Sequence, residues 1–180
     1  MKKIISILLS LILVCGLACP VFALEAHYVN LGVPQGLDTS FKAYEPYTAI
    51  TSKSSSQYKF IYNSGWVWTD NSGFLRANGE RDLGITDDYY LIALGSYYGT
   101  TIGTKYRIKT TTGQTFYGVL GDQKANIHTN STHQYSSLNN VVEFIVNTSM
   151  IPYSMKQMGS ANVFSHLSGS IKSIERIDFY

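Results

Sequence analysis

The chain reads as mainly β, on three observations. Short β-branched or aromatic runs recur along it, each bounded by Gly, Ser, Asn or Thr. Only one stretch carries helical spacing. Residues 91–122 hold a buried run, an alternating strand over 105–110, a Thr112-Gly113 turn and a second strand over 114–120. That hairpin runs into Gly121-Asp122, so a carboxylate arrives at a strand end beside a residue that lets backbone come close.

In chain order, residues 1–23 have the form of a signal peptide. Lys2-Lys3 is the charged start, 4–14 is apolar apart from two serines, and Val21-Phe22-Ala23 predicts cleavage after Ala23. A membrane anchor is the alternative, although the apolar run is shorter than the ~20 residues a spanning helix needs. Lipid attachment at Cys19 is another, with Gly16 and Pro20 out of keeping with it. Cys15 and Cys19 both lie in this segment, so a chain cut after Ala23 has no disulfide, thiolate metal site or cysteine nucleophile.

Removing residues 1–23 also removes two lysines, leaving 12 basic against 12 acidic residues and a formal net charge of zero. A balanced charge gives no general attraction to nucleic acid or to an anionic membrane. Aromatic residues make up 13% of the chain against 14% charged, with 14 tyrosines. That balance suits a neutral polar polymer such as glycan, whose sugar faces stack on rings. Tyrosine used simply as a strand former accounts for it equally well.

Strands are expected over 47–51, 57–62, 91–94, 105–110, 114–120, 141–146 and 170–177, with turns at 52–56 and 71–73. Residues 149–158 predict the one short helix: Pro152 stands early, Ile151, Met155 and Met158 share a face, and Gly159 stops it. The polar segment 123–140 is too long for a hairpin turn, and loops of that length are usually functional. The domain reading is a signal peptide over 1–23, an N-terminal β extension over 24–76 and a barrel domain over 77–180.

From Ala77 onward the residues resemble double-psi β-barrels of the rare-lipoprotein-A and three-aspartate type, relatives of expansin and MltA-like lytic transglycosylase barrels. Ala77-Asn78-Gly79-Glu80 resembles the start of such a barrel. Ile92-Ala93-Leu94 followed by Ile102-Gly103-Thr104-Lys105 is similar to its buried strand, Gly-Thr turn and next strand. Gly113 falls at the hairpin turn, Asp122 at the first acidic position, and Val141-Val142-Glu143-Phe144 resembles the strand carrying the second acid. The resemblance implies a six-stranded double-psi β-barrel covering residues 77–178.

The chain departs from that pattern in three ways. Gly95 stands where three-aspartate proteins have an aspartate, Glu143 replaces an aspartate, and the 21 positions from Asp122 to Glu143 exceed the usual gap. A rival alignment of the closing segment makes Asp178 the second acid.

The function this resemblance implies is a secreted, cell-wall-acting protein of a Gram-positive cell, a peptidoglycan lytic transglycosylase. Such enzymes use the muramyl hydroxyl as internal nucleophile, so one general-acid carboxylate suffices. Glu143 alternates against Val142 and Phe144, which suits a general acid facing a groove, and Asp122 would assist it. Tyr97, Tyr98, Thr104 and Tyr106 are the expected substrate-binding residues, with Trp66 and Trp68 behind them. The alternative is a non-catalytic barrel that holds peptidoglycan. No cofactor or metal is expected, because His128 and His133 fit no common zinc spacing. The expected partner is cell-wall glycan, with no nucleic acid, no membrane after cleavage, and a monomeric chain.

Overall fold

The computed structural model describes residues 24–43, 50, 52–63 and 65–180 of the chain. The expected signal peptide and most of the strand expected over 47–51 lie outside the described residues. Among the described residues nine strands form one mixed sheet: β1 (Ala26–Asn30), β2 (Asp38–Ala43), β3 (Val67–Thr69), β4 (Leu75–Ala77), β5 (Tyr89–Leu94), β6 (Lys105–Thr110), β7 (Thr115–Gln123), β8 (Asn140–Val146) and β9 (Ile171–Phe179). The main path runs β1-β9-β6-β7-β5-β4-β3, and β8 joins β5 beyond β4 with β2 on its far side. The pairs β2·β8 and β5·β7 are parallel, and the rest are antiparallel. The fold is therefore mainly β, and residues 24–76 contribute strands to the same sheet as the rest.

Sequence pattern explains the best-formed strands. β6 (Lys-Tyr-Arg-Ile-Lys-Thr) buries Tyr106, Ile108 and Thr110 while its alternate residues remain half-buried. All six residues of β5 are buried, as its unbroken apolar run requires. Successive β5 residues feed opposite faces. Tyr90, Ile92 and Leu94 join a large cluster with Ile108, Leu120 and Phe144, while Tyr89 and Leu91 join a second with Val119, Ile145 and Ile177. Leu75, Ala77, Ile85 and Ile61 belong to that second cluster.

The strand expected over 57–62 is helical instead. α1 (Ser56–Tyr58) continues into a π-helical turn, Lys59–Asn63. Ser55 caps it, its side chain accepting the Tyr58 N–H at 3.1 Å. The aromatic residues there repeat at helical spacing, bringing the rings of Tyr58 and Tyr62 to 4.6 Å. The helix expected over 149–158 is shorter, α2 (Tyr153–Met158), because Pro152 holds an extended ψ of 150° and serves as its N-cap. Gly159 ends it in the left-handed conformation, as expected.

Phe144 lies at the centre of the large cluster, with ring centroids of Phe74 and Tyr90 each at 5.2 Å and Phe116 at 5.5 Å. Replacing it with alanine leaves a cavity between strands that cannot all close in, so Phe144→Ala is expected to cost about 3–5 kcal/mol in chemical denaturation.

Candidate functional site

The site is built around Ala93 of β5. Asp122 of β7 pairs with Ala93 on one edge, and Glu143 of β8 pairs with it on the other. Residues paired in this way share a face, so the two acids stand on one face two strand spacings apart, about 9–10 Å between backbones.

A bulge aims Asp122. Leu120 pairs with Ile92 and Asp122 with Ala93, so Gly121 is an extra residue on β7. Regular alternation would have sent Asp122 into the large cluster with Leu120. The extra residue turns it to the opposite face. Gly121 has no room for a side chain, since a Cβ there would lie 2.9 Å from Ile145 Cδ1 and 3.2 Å from Leu91 Cδ2. Glu143 reaches the same face by simple alternation between Val142 and Phe144.

Both acids are paired with lysines. Lys42 of β2 donates to Asp122 Oδ2, and Lys124 Nζ lies 2.6 Å from Glu143 Oε1 while donating to Asn140 Oδ1 at 2.8 Å. Lys124 and Asp122 are deep, with side chains 3% and 5% exposed, whereas Glu143 is 21% exposed. Burial lowers the pKa of Lys124; Glu143 opposes the shift and the charge of Lys42 adds to it. A pocket of about 330 Å³ is lined by Lys42, Gln123, Lys124, His128, Ser136 and Glu143, among others. Asp122 is not in its wall. It sits behind, holding Lys42.

The loop after β7 roofs this region. Asn130 organises it by accepting the N–H groups of Gln134 and Tyr135 at 2.7 and 3.2 Å, and Thr129 bridges Ser136. Its His133 carbonyl accepts the Tyr97 N–H at 3.3 Å. A Cβ on Gly95 would lie 2.0 Å from that same carbonyl oxygen. Gly95 and the long loop are thus one feature, because loop backbone occupies the space a side chain would need.

The expected sugar-stacking residues are elsewhere. Tyr98 and Tyr106 are 1% and 0% exposed, and Tyr106 donates its hydroxyl to the Tyr98 carbonyl at 2.9 Å. With no ring face free, they are core residues rather than groove walls. Tyr97 is half exposed, its hydroxyl donating to the Leu31 carbonyl at 3.0 Å. Thr104 donates to the Thr101 carbonyl and lines a separate shallow depression with Arg176 and Asp178. Asp178 accepts two bonds from Arg176 at 2.8 Å, which hold its pKa below the usual carboxylate range. It shares no pocket with Glu143. Trp66 packs edge-on against Phe60, and Trp68 lies on short β3. His133 bonds Thr129, and no group of three or more metal-binding side chains occurs among the described residues.

Lys42 and Lys124 are the site residues that sequence reasoning missed. Lys42 precedes its partner by 80 positions, so no local pattern announces it. Lys124 had a signal: it follows Asp122 by two, the same-face interval on a strand, and its backbone N–H still bonds Leu94 at 2.9 Å. Comparison with protein-family models, with curated proteins and with solved structures gives no match.

Two outcomes are expected from this geometry. Gly95→Asp should cost about 1–3 kcal/mol of stability by overpacking, and limited proteolysis should then cut within 124–139 sooner than in the unaltered chain. Lys124→Met should cost about 3 kcal/mol in chemical denaturation, since it strands Glu143 without its partner in a largely buried site.

Proposed function

We propose that the chain is a secreted protein acting on cell-wall glycan, and that it cleaves the strands as a lytic transglycosylase with Glu143 as its one proton-transferring carboxylate. The observation that carries the reading is the setting of Glu143. It is the accessible acid in the wall of a pocket of about 330 Å³, and an ammonium whose proton affinity is reduced by burial lies 2.6 Å away.

The chemistry asks for two proton movements. The glycosidic oxygen gains a proton as its bond to the anomeric carbon breaks, and the muramyl hydroxyl that closes onto that carbon loses one. A carboxyl that gives one proton to the leaving oxygen and takes another from the hydroxyl balances both. In the ion pair the proton resides on Lys124. Passed to Glu143, it makes the acid that protonates the leaving oxygen. The carboxylate then takes the hydroxyl proton and passes it back to Lys124, which restores the ion pair. Asp122 acts through Lys42, as a positioning residue.

The finer fold reading, a six-stranded double-psi barrel, belongs to this proposal. Its support is the succession of paired strands β9-β6-β7-β5-β8-β2, which includes two parallel pairs. Near its ends the Ile171 N–H donates to the Leu37 carbonyl at 2.8 Å, linking the starts of β9 and β2.

A specific observation favours a second reading, that of a glycan-binding barrel without catalysis. Both acids are already engaged by lysines, as structural charges would be. The two readings separate on purified cell wall. Cleavage should release anhydromuramyl products, and Glu143→Gln should slow release by about 10²–10⁴, the usual share of general acid–base catalysis. Undiminished release by that variant overturns the role of Glu143. Saturable binding to wall without release of any product establishes the second reading, and the absence of both rejects the two together.

A further inference from the structure

A second pocket, of about 300 Å³, lies elsewhere on the sheet and shares no lining residue with the first. Arg76, Asp87, Tyr90, Gln114, Phe116 and His166 form most of its wall. Its size is at the lower end of small-molecule sites.

Arg76 pairs with Tyr90 across β4 and β5, and its guanidinium carbon stacks 3.6 Å above the centre of the Tyr90 ring. One terminal nitrogen donates to the Asp88 carbonyl at 3.0 Å, which fixes the plane of the group. Arg81, Arg107 and Arg176 each pair with a carboxylate; Arg76 has no ion pair among the described residues. A positioned, half-buried guanidinium of this kind keeps donors in a planar fork that matches a carboxylate.

His166 completes the donor side. Its Nε2 lies 3.0 Å from the Tyr90 hydroxyl. Burial lowers its pKa, the charge of Arg76 lowers it further and Asp70 opposes them, so the ring is neutral near pH 7. Burial raises the pKa of Tyr90, against the effect of Arg76, so its hydroxyl keeps its proton. In the tautomer whose Nε2 accepts from that hydroxyl, the ring hydrogen is on Nδ1 and forms a second donor.

The opposite charge is also present. Asp87 is exposed at the rim and has no ion pair or side-chain hydrogen bond among the described residues. Asp88 is taken up by Arg81 at 2.9 Å. The pocket thus offers one available cation and one available anion over a floor of Tyr90 and Phe116. A phosphate would meet the repulsion of Asp87, and a simple cation that of Arg76.

We propose that this pocket binds a zwitterionic amino acid or short peptide, with its carboxylate on Arg76 and His166 and its ammonium on Asp87. The proposal stands apart from the function of the Glu143 pocket, because neither the residues nor the chemistry is shared.

Titration calorimetry on the unaltered chain with L-alanyl-L-alanine, its C-terminal amide and its N-acetyl form tests the assignment by changing the ligand alone. Saturable binding of the dipeptide is expected, weakened about tenfold or more by loss of either charge. Arg76→Gln should weaken the dipeptide by a similar factor in a variant whose thermal unfolding remains cooperative, whereas Glu143→Gln should leave its affinity unchanged. No saturable binding by the dipeptide overturns the proposal. Equal affinity for the amide or for the N-acetyl form overturns it as well, since the pocket would then not be reading both charges.

Discussion

Strand β5 is covered on every side. β7 takes one edge, β4 and β8 divide the other, and apolar clusters cover both faces. A strand so enclosed must satisfy its backbone through its neighbours and its side chains through packing, which only an apolar run can do. Tyr-Tyr-Leu-Ile-Ala-Leu meets that demand with one small residue, Ala93. The neighbours of Ala93 on both sides are carboxylates. The charged site is therefore a local exception in an apolar layer, and its place is set by where β5 becomes small.

An exception of this kind has to be electrically closed. Two acids left unpaired beside the second apolar cluster would each cost several kcal/mol in desolvation. Lys42 and Lys124 cancel them, and Asn140 and Glu143 take up two of the three N–H donors of Lys124. The two pairs are not equivalent. The buried partner of Lys42 is the acid, whereas the buried partner of Glu143 is the lysine. Asp122 thus presents a cation to the pocket and Lys124 presents an anion. That inversion leaves Glu143 as the acid that faces the pocket and Asp122 as the one behind it.

How much of this could be read in the sequence follows the same division between local and long-range causes. β6 was legible to the residue because one of its faces is buried and the other half-open, so Lys-Tyr-Arg-Ile-Lys-Thr alternates. β2 was not. Its inward Thr39 is satisfied by the Ser160 hydroxyl at 2.9 Å and the Ala161 N–H at 3.2 Å, more than a hundred positions away, so a polar residue is buried and the alternation disappears. Among the described residues β1 pairs with β9 alone, as an edge strand, and carries a weak pattern for that reason. Residues 57–62 misled in the other direction: the aromatic repeat reads as a strand until the Ser55 cap and the Tyr58–Tyr62 ring contact are seen. Around Ala93, the two acids stand out in the sequence because each has an apolar or glycine context on its own strand. The burial of Tyr98 and Tyr106 was not legible, because a ring used for packing and a ring used for stacking look alike in a sequence.

The loop after β7 ties these strands of argument together. A carbonyl cannot share its position with a side chain, so the His133 oxygen over Gly95 excludes any third carboxylate from that end of β5. In its place the loop supplies Lys124, His128 and Ser136 to the pocket wall, beside Gln123 at the end of β7. One negative position is thereby exchanged for neutral and cationic groups. With Asp122 counted behind Lys42, the formal charge around Ala93 sums to zero, where a third acid would have made it negative. Under the proposed function, a neutral site suits a neutral glycan better than an acidic one would, since such a polymer brings no cation to offset surplus carboxylates. Gly95 therefore bears on the charge balance of the pocket, although it contributes no charge of its own.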